Sequence, residues 1–275
     1  MPSWPEMGLQ HLSLLIVVPT LNSHRLLPRL LHSLQQQSWP SWQLLFIDGP
    51  SDPEHRHWLE LCCSVDSRCH WSPQDPTEPG IFGAMNQGFA MAGPEDWLLF
   101  WGSDDWASTP AVLGRVATSL EQVLAQGITP DLLVCRGRYA SNNTGGLGRS
   151  AEFQPAGLLS TDTYRRALLF GSTPPHQATL FGPGARQRLA RYAPGFRLSA
   201  DLNYFLELSR SADLLVQCLD LELVHMAAGG ISGQQTKRRL QEVRHAYFRA
   251  YGWRWWLPFV LRYLRRLASM MESNT

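Results

Sequence analysis

Near its start the chain carries two apolar stretches separated by a leucine-rich segment of helical period. Residues 12–18 and 43–47 are almost continuously apolar, which is typical of strands buried on both faces of a parallel sheet. Between them, leucines at positions 26, 27, 30, 31 and 34 recur on one face of a helix over 25–36. The pattern predicts a right-handed strand–helix–strand unit, and hence an α/β fold built on a parallel sheet.

The alternation of strands and helices continues along the chain. The predicted helices cover residues 53–65, 81–92 and 111–126, and the predicted strands cover residues 69–71, 97–101 and 132–139. Two segments rich in proline, glycine or small polar residues, 73–80 and 141–148, are predicted loops. The first half of the chain therefore predicts a Rossmann-like, mostly parallel central sheet flanked by helices.

Polar side chains stand where three of the predicted strands end. Thr20 and Asn22 follow the first strand, Asp48 follows the second, and Asp104 and Asp105 follow the strand over 97–101. In open α/β sheets, ligands bind beyond the carboxyl ends of the strands. We therefore expect these five residues to share one binding site.

The acidic residues at these strand ends suit a metal ion and a nucleotide. Asp104 and Asp105 repel each other unless a cation or donors neutralise them, and magnesium usually takes one or two carboxylates plus substrate phosphates. The alternative is a solvated turn in which an aspartate caps the helix after Pro110. Asp48 can accept a hydrogen bond from a ring N–H or a sugar hydroxyl, or form an Asx-turn with Gly49.

Two common phosphate-binding signatures are missing from the sequence. No G-x-G-x-x-G follows the first strand, where Pro19-Thr20-Leu21-Asn22 stands instead, and no G-x-x-x-x-G-K-[ST] occurs anywhere. The first absence removes the main support for a dinucleotide-binding site, and the second excludes P-loop chemistry.

Composition excludes some classes of protein, and the charge distribution divides the chain in two. Of 275 residues, 44% are apolar and 17% are charged, which excludes a disordered chain. Basic and acidic residues nearly balance at 24 and 23, which argues against a nucleic-acid partner. Residues 236–275, however, carry nine Lys and Arg against two Glu, a net +7, and the remaining 235 residues carry −6.

Cysteine usage and hydropathy indicate a cytoplasmic protein. The five cysteines form no C-x-x-C pair and predict neither a disulfide framework nor a zinc site. No signal peptide is visible, and no apolar run approaches the roughly 18 residues that a membrane span needs.

Seven short motifs follow one another in a distinctive order between residues 12 and 235. They are Val18-Pro19-Thr20-Leu21-Asn22, Ile47-Asp48-Gly49-Pro50-Ser51-Asp52, Gly80-Ile81-Phe82-Gly83-Ala84-Met85-Asn86-Gln87-Gly88, Gly102-Ser103-Asp104-Asp105, Pro175-His176-Gln177-Ala178-Thr179, Leu198-Ser199-Ala200-Asp201-Leu202-Asn203-Tyr204-Phe205 and Gly229-Gly230-Ile231-Ser232. In this order they resemble the motifs of family 2 glycosyltransferases of the GT-A fold, in particular bacterial members that assemble cell-surface polysaccharide.

The resemblance implies a nucleotide-diphospho-sugar donor and a divalent Mg²⁺ or Mn²⁺ ion. By position, Pro19, Thr20 and Asn22 would line the nucleotide pocket, and Asp48 would hold the base or ribose. Asn86 and its neighbours would close over the donor. This chain departs from the family pattern in two places: Pro50-Ser51-Asp52-Pro53 stands where a glycine-rich turn is usual, and Gly83 stands where an aspartate is common. The second departure concerns recognition of the donor sugar.

The same resemblance implies roles for the later polar residues. Ser103 would belong to the donor pocket, Asp104 would face the ribose or sugar, and Asp105 would bind the metal under the diphosphate. Asp201 matches the position of the catalytic base, which would take a proton from an acceptor hydroxyl in a direct, inverting displacement. Without the resemblance, Asp201 would be interpreted as a helix N-cap.

Two histidines lie beside short apolar segments of the second half. His176 precedes the predicted short strand 178–181, and His225 ends the apolar run over 214–224. A lone histidine in such a place is more often structural than catalytic. The alternative hypothesis is that His176 contacts phosphate or acceptor and that His225 contacts the metal or diphosphate.

The basic segment is predicted to be a helical tail separate from a transferase domain over 1–235. In residues 236–275, arginines alternate with Trp253, Trp255 and Trp256, which is typical of helices lying in a membrane interface. The tail would then bind an anionic membrane, on the inner face of the plasma membrane, near a polysaccharide or lipid-linked acceptor. The alternative is a terminal helix packed on the acidic domain.

Two other functions are consistent with parts of the sequence. A nucleotidyltransferase has a similar α/β fold and paired aspartates, but it would need a basic, glycine-rich first loop that residues 19–22 do not provide. A non-catalytic scaffold at the membrane is disfavoured because Asp104, Asp105 and Asp201 are all retained.

Overall fold

A computed structural model describes residues 12–140, 147–227 and 235–272, and in this part of the chain one mixed sheet is flanked by helices on both faces. The strands are β1 Leu14–Thr20, β2 Trp42–Asp48, β3 Cys69–Pro73, β4 Trp97–Phe100, β5 Trp106–Ala107, β6 Leu132–Ala140, β7 Leu147–Ala151, β8 Gly157–Leu159, β9 Thr179–Phe181 and β10 Val216–Ala227. The helices are α1 Leu27–Gln35, α2 Pro53–Val65, α3 Ile81–Met91, α4 Val112–Ala125, α5 Thr161–Leu169, α6 Pro183–Arg188, α7 Ala200–Leu208, α8 Thr236–Tyr251 and α9 Trp256–Glu272.

The order of the strands places β1 inside the parallel part of the sheet that the sequence predicts. The sheet runs β3-β2-β1-β4-β9-β6-β10-β5, with β7 paired to β6 and β8 paired to β10. The first four strands are mutually parallel, β9 is antiparallel to both neighbours, and β10 is parallel to β6. The α/β class is confirmed, and β1 lies at a switch point of the kind where α/β proteins bind ligands.

Alternate residues of β1 pack into two separate cores, as the continuous apolar run predicts. Leu15 and Val17 face one core with α3 and α7, while Ile16 and Val18 face the other with α1 and α4. On the first face α3 lies so close that a Cβ at Gly88 would stand 2.6 Å from Val17 Cγ1. The strand is therefore clamped on both faces, which fixes the position of its carboxyl end.

Two predicted features fall partly or wholly outside the described residues. The motif Gly229-Gly230-Ile231-Ser232 lies outside them, as do residues 141–146 of the predicted loop. The last two residues of that loop, 147 and 148, belong to β7, so the loop prediction was wrong there.

The C-terminal segment is helical as expected, and its first helix joins the main core. Val243, Ala246 and Tyr247 of α8 are buried in the cluster that contains α7. Helix α9 packs beside Gly171, whose φ is +78° and where a Cβ would lie 2.5 Å from the backbone nitrogen of Arg262. Packing onto the domain is thus observed, while the boundary at 235 and membrane contact stay predictions. No helix in the described ranges combines the length and apolarity that a bilayer span needs.

Candidate active site

The carboxylate of Asp48 lies in a buried polar cluster where β2 ends. Only 2% of Asp48 is exposed. Two hydroxyl donors and one ring nitrogen, from three segments, lie within 3.0 Å of its Oδ1 atom. These are Thr20 Oγ1 at 3.0 Å, Ser51 Oγ at 2.6 Å and His55 Nε2 at 3.0 Å. Within the described chain, Oδ2 has no hydrogen-bond partner, and Arg56 Nε lies 3.8 Å from it. An unsatisfied buried acceptor costs about 1–3 kcal/mol, so Oδ2 is suited to a ligand's N–H or O–H.

His55 is a site residue that its surrounding sequence hardly marks. It stands in the first turn of α2, one turn before the buried Leu59, and this spacing on the inward face is the only local signal. Burial lowers the pKa of His55 more than the nearby charge of Asp48 raises it. The imidazole is therefore neutral at pH 7 and packs against the Asp48 carboxylate, with its Nε2 atom 3.0 Å from Oδ1.

The polar residues after β1 tie neighbouring loops together. Asn22 has a φ of +49°, its backbone N–H donates to Ser51 Oγ at 3.0 Å, and its Oδ1 accepts from the Asp52 backbone N–H at 2.8 Å. The hydroxyl of Ser103 donates to the carbonyl oxygen of Pro19 at 3.2 Å. These contacts hold the loops after β1, β2 and β4 against one another. Direct contact of Pro19, Asn22 and Ser103 with a nucleotide stays a prediction.

The two aspartates after β4 share one side of a tight turn. A Cβ at Gly102 would lie 2.9 Å from Asp104 Oδ1 and 3.3 Å from Asp105 Oδ2, so a larger residue there would crowd both carboxylates. Asp105 is 2% exposed and its Oδ2 accepts the Gly102 backbone N–H at 2.6 Å. Helix α4 begins after Ala111, so neither aspartate caps it.

The acidic turn fits a divalent cation that is completed by ligands from outside the protein. Burial raises the pKa of Asp105 to about 8. The hydrogen bond from the Gly102 N–H lowers this pKa, while the charge of Asp104 raises it further. A cation beside the pair would favour its charged form. Among the described residues, His, Cys, Asp and Glu form no group of three or more that could hold a metal. Oxygen ligands from a diphosphate would supply the rest, as is usual for Mg²⁺.

His225 is brought beside the acidic turn by the pairing of two strands. In the antiparallel pair β5–β10, His225 stands opposite Trp106, the residue after Asp105, with ring centroids 5.6 Å apart. Its Nε2 lies 2.8 Å from Glu222 Oε1, and Glu222 Oε2 accepts from Arg138 Nε at 2.7 Å. Burial would raise the pKa of Glu222, but the hydrogen bonds from His225 and Arg138 outweigh it and lower the pKa. His225 is thus near the acidic pair and already paired to a carboxylate.

His176 lies at the end of β4, and Asp201 is close enough for its charge to act on the His176 ring. His176 Nε2 lies 2.6 Å from Tyr192 Oη, and its ring stacks on Phe100, the last residue of β4, at 5.7 Å. Burial lowers the pKa of His176 while the nearby charge of Asp201 acts in the opposite direction, so the ring is neutral at pH 7. The N-cap of α7 is Ser199, and Asp201 is in the first turn. The half-buried Asp201 carboxylate has no side-chain hydrogen-bond partner in the described part of the chain.

Asn86 fixes the segment that carries Tyr192. Its Nδ2 donates to Glu78 Oε2 at 3.0 Å, and its Oδ1 accepts the backbone N–H of Tyr192 at 2.7 Å. A Cβ at Gly83 would lie 1.8 Å from the carbonyl oxygen of Glu78, so the aspartate that is common there does not fit this backbone. The local sequence gives no signal for Tyr192 or Glu78, because both act through contacts that only the fold creates.

Comparison with known proteins gives one family match and several relatives. Residues 15–160 match the family described as Glycosyl transferase family 2. A PGL/p-HBAD biosynthesis glycosyltransferase of Mycobacterium bovis and another of Mycobacterium tuberculosis are each 33% identical to this chain over 102 residues. That stretch is 37% of this chain, and the chain spans only 39% of the length of these relatives.

Solved structures with the same fold are distant in sequence. S. aureus TarS 1-349 in complex with UDP-GlcNAc has a TM-score of 0.65 and 14% identity, over 87% of this chain and 68% of TarS 1-349. Mannosyltransferase PcManGT from Pyrobaculum calidifontis, in complex with GDP-Man and Mn²⁺, has a TM-score of 0.60 and 12% identity, over 86% and 63% of the two chains. At such identities the similarity shows the fold, and it confirms the predicted GT-A class.

We predict that His55 makes the stability of the protein depend on pH. The pKa of His55 is held below its ordinary value of 6.5, so the unfolded chain binds a proton there at a higher pH than the folded chain does. Its contribution to stability is present above pH 6.5 and is lost as the pH falls. His55→Gln should therefore lose less unfolding free energy between pH 7 and pH 5 than the wild type, as measured by urea denaturation.

The matched control is His57→Gln, which changes an exposed histidine on the same helix. This variant should keep the wild-type dependence on pH. Equal pH dependence in all three proteins would contradict the role assigned to His55.

Proposed function

We propose that this chain, which belongs to glycosyl transferase family 2, transfers a sugar from a nucleotide-diphospho-sugar to a hydroxyl group of an acceptor. One observation carries the proposal: the fold brings the strand-end residues Thr20, Asp48 and Asp105 to one edge of the sheet. Asp201 is close enough to His176, at the end of β4, for its charge to act on the pKa of that ring. The complexes of TarS with UDP-GlcNAc and of PcManGT with GDP-Man support a nucleotide-sugar donor.

The base or ribose of the donor would bind at Asp48. Thr20 and Ser51 donate to one carboxylate oxygen and His55 packs beside it, while the buried Oδ2 accepts no hydrogen bond and has only Arg56 Nε 3.8 Å away. Because an ionised carboxylate only accepts hydrogen bonds, Oδ2 selects a ligand group that donates one, such as a ring N–H or a ribose hydroxyl.

The diphosphate would lie over the acidic turn. Asp105, with Asp104 beside it, would hold Mg²⁺ or Mn²⁺, which when bound stabilises the negative charge of the departing diphosphate. Pro19, Asn22 and Ser103 would keep the turn in register with the nucleotide, because they join the loops after β1, β2 and β4. His225 would contact the same diphosphate, and His176 would contact the diphosphate or the acceptor.

Asp201 would act as the general base. It accepts the proton of an acceptor hydroxyl while the hydroxyl oxygen forms a bond to the anomeric carbon and the bond from that carbon to the diphosphate oxygen breaks. A single displacement of this kind inverts the anomeric configuration. The unpaired Asp201 carboxylate and the neutral His176–Tyr192 pair beside it support this role.

The activity is tested by incubating the pure protein with a panel of UDP- and GDP-sugars, Mn²⁺ and candidate lipid-linked or polysaccharide acceptors. We expect release of nucleoside diphosphate, which EDTA abolishes and added Mn²⁺ restores. Asp201→Asn should lower kcat by about 10²–10⁴-fold, since it removes a general base, and should still bind donor in a thermal-shift titration. Asp105→Asn should lower activity and weaken its dependence on Mn²⁺.

The matched control is Asp162→Asn, at an exposed aspartate whose only described side-chain contact is an ion pair with Arg165 on α5. It should keep full activity. Wild-type-like turnover by Asp201→Asn would contradict the assigned base, and metal-dependent binding without turnover of any donor would favour a non-catalytic scaffold.

Helix α9 would hold the enzyme on the inner face of the plasma membrane. Its residues Trp256, Val260 and Leu264, spaced four apart, are 52%, 45% and 55% exposed, so an apolar stripe lies open along one face. The exposed Arg254 and Arg265 flank the stripe and would contact anionic headgroups, at about 1 kcal/mol each. A lipid-linked or growing polysaccharide acceptor would be reached from this position.

The membrane contact is tested by sedimentation with vesicles of phosphatidylcholine alone or mixed with phosphatidylglycerol. We expect the protein to sediment with the anionic vesicles and the variant Trp256→Ser/Val260→Ser/Leu264→Ser to stay in solution. Leu61→Ser/Val65→Ser, which removes exposed apolar residues from α2, is the control and should sediment like the wild type. The proposal would be contradicted if the wild type did not sediment with anionic vesicles. It would also be contradicted if the control variant lost vesicle binding as much as the triple variant of α9.

A further inference from the structure

One acidic residue of the basic C-terminal segment is buried against the helix that carries Asp201. Glu242 of α8 is 8% exposed and is surrounded by N–H donors. Its Oε2 accepts the backbone N–H groups of Arg197 at 3.1 Å, Leu198 at 2.7 Å and Ser199 at 3.0 Å. Its Oε1 lies 3.1 Å from both the Arg197 backbone nitrogen and Arg238 Nε. A single carboxylate thus binds three successive backbone amides.

These amides form the entry to α7, two to four residues before Asp201. Ser199 is the N-cap of α7, yet its hydroxyl makes no capping hydrogen bond. The first turn of a helix has unpaired N–H groups and a positive end of the helix dipole, so a carboxylate there is stabilising. Glu242 supplies this carboxylate from a distant helix and fixes the backbone that leads into Asp201.

The rest of α7 is held independently of Glu242. Leu202, Tyr204 and Phe205 are almost completely buried, and Tyr204 Oη donates to the carbonyl oxygen of Leu189 at 2.8 Å. Loss of the Glu242 carboxylate would therefore leave the helix packed while its first turn loosens. Such a change would alter the position of the Asp201 side chain more than the stability of the fold.

We propose that Glu242 is a positioning residue for the reaction: it clamps backbone 197–199 and so sets the place of the Asp201 carboxylate at the acceptor. The inference rests on the proposed role of Asp201 as general base. Helix α8 then contributes to the active site, because its Glu242 carboxylate binds the backbone that leads into the helix of Asp201. The Asp48 cluster and the acidic turn lie on other segments, so donor binding should not depend on Glu242.

The direct test is Glu242→Gln, which keeps the side-chain length but loses the charge and places an amide group among donors. We expect kcat to fall about 10- to 100-fold, as small misplacements of a catalytic group do, with KM for the donor within twofold of the wild type. Amide hydrogen exchange should become faster in a peptide covering 196–200 and stay unchanged in one covering 203–208. Glu242→Asp, which keeps the charge, should retain more activity than Glu242→Gln. It replaces Glu242→Gln in the test if that variant does not fold.

The matched control is Glu207→Gln, which breaks an ion pair that joins α7 to the C-terminal segment, Glu207 with Arg249 at 2.5 Å. This variant should keep kcat and the exchange of 196–200. An unchanged kcat in Glu242→Gln, or equal losses in Glu207→Gln, would overturn the positioning role. If the wild type turns over no donor, the proposed function is wrong. Amide hydrogen exchange of 196–200, compared between the wild type and Glu242→Gln, still tests separately whether Glu242 holds this backbone.

Discussion

The parallel pairing of β1 with both β2 and β4 is the constraint on which the site depends. Its register sets Thr20 beside Asp48 on one side and Val17 beside Phe100 on the other, so three strand ends open at one edge of the sheet. Because β1 is packed on both faces, this edge cannot shift without disturbing two cores. The loop contacts of Asn22 and Ser103 then only refine an arrangement that the sheet already imposes.

The first half of the fold could be predicted because its signals are local. Continuous apolar runs mark β1, β2 and β4. The segments between them have the period of helices, and a strand–helix–strand connection makes the strands parallel. Asp48 and the Asp104–Asp105 pair could be singled out because polar residues at strand ends meet at one edge. Asp201 is different, since only the family resemblance distinguishes it from a helix cap, and the structure shows that Ser199 occupies the cap.

The residues that support the site could not be predicted, because their partners are distant in sequence. Tyr192 reaches Asn86 across 106 positions and Glu242 reaches Arg197 across 45, and no period or motif encodes such contacts. The position of β9 between β4 and β6 was likewise not predictable, because it depends on pairing between strands that are distant in sequence. Glu242 is one of two acidic residues among nine basic ones in 236–275, and it accepts hydrogen bonds from the backbone amides that lead into α7.

The central claim, that the strand ends form a metal-dependent nucleotide site, is tested most directly by calorimetric titration of UDP and GDP with and without Mn²⁺. Asp48→Asn is the informative variant, because the two hydroxyl donors Thr20 and Ser51 keep its oxygen at the Oδ1 position, and its NH₂ then replaces Oδ2, the oxygen without a hydrogen bond. We expect Mn²⁺-dependent binding of a nucleoside diphosphate by the wild type, and binding at least about tenfold weaker in Asp48→Asn, a cost of about 1.4 kcal/mol. Failure of the wild type to bind either nucleotide, or equal affinity in the variant, would contradict it.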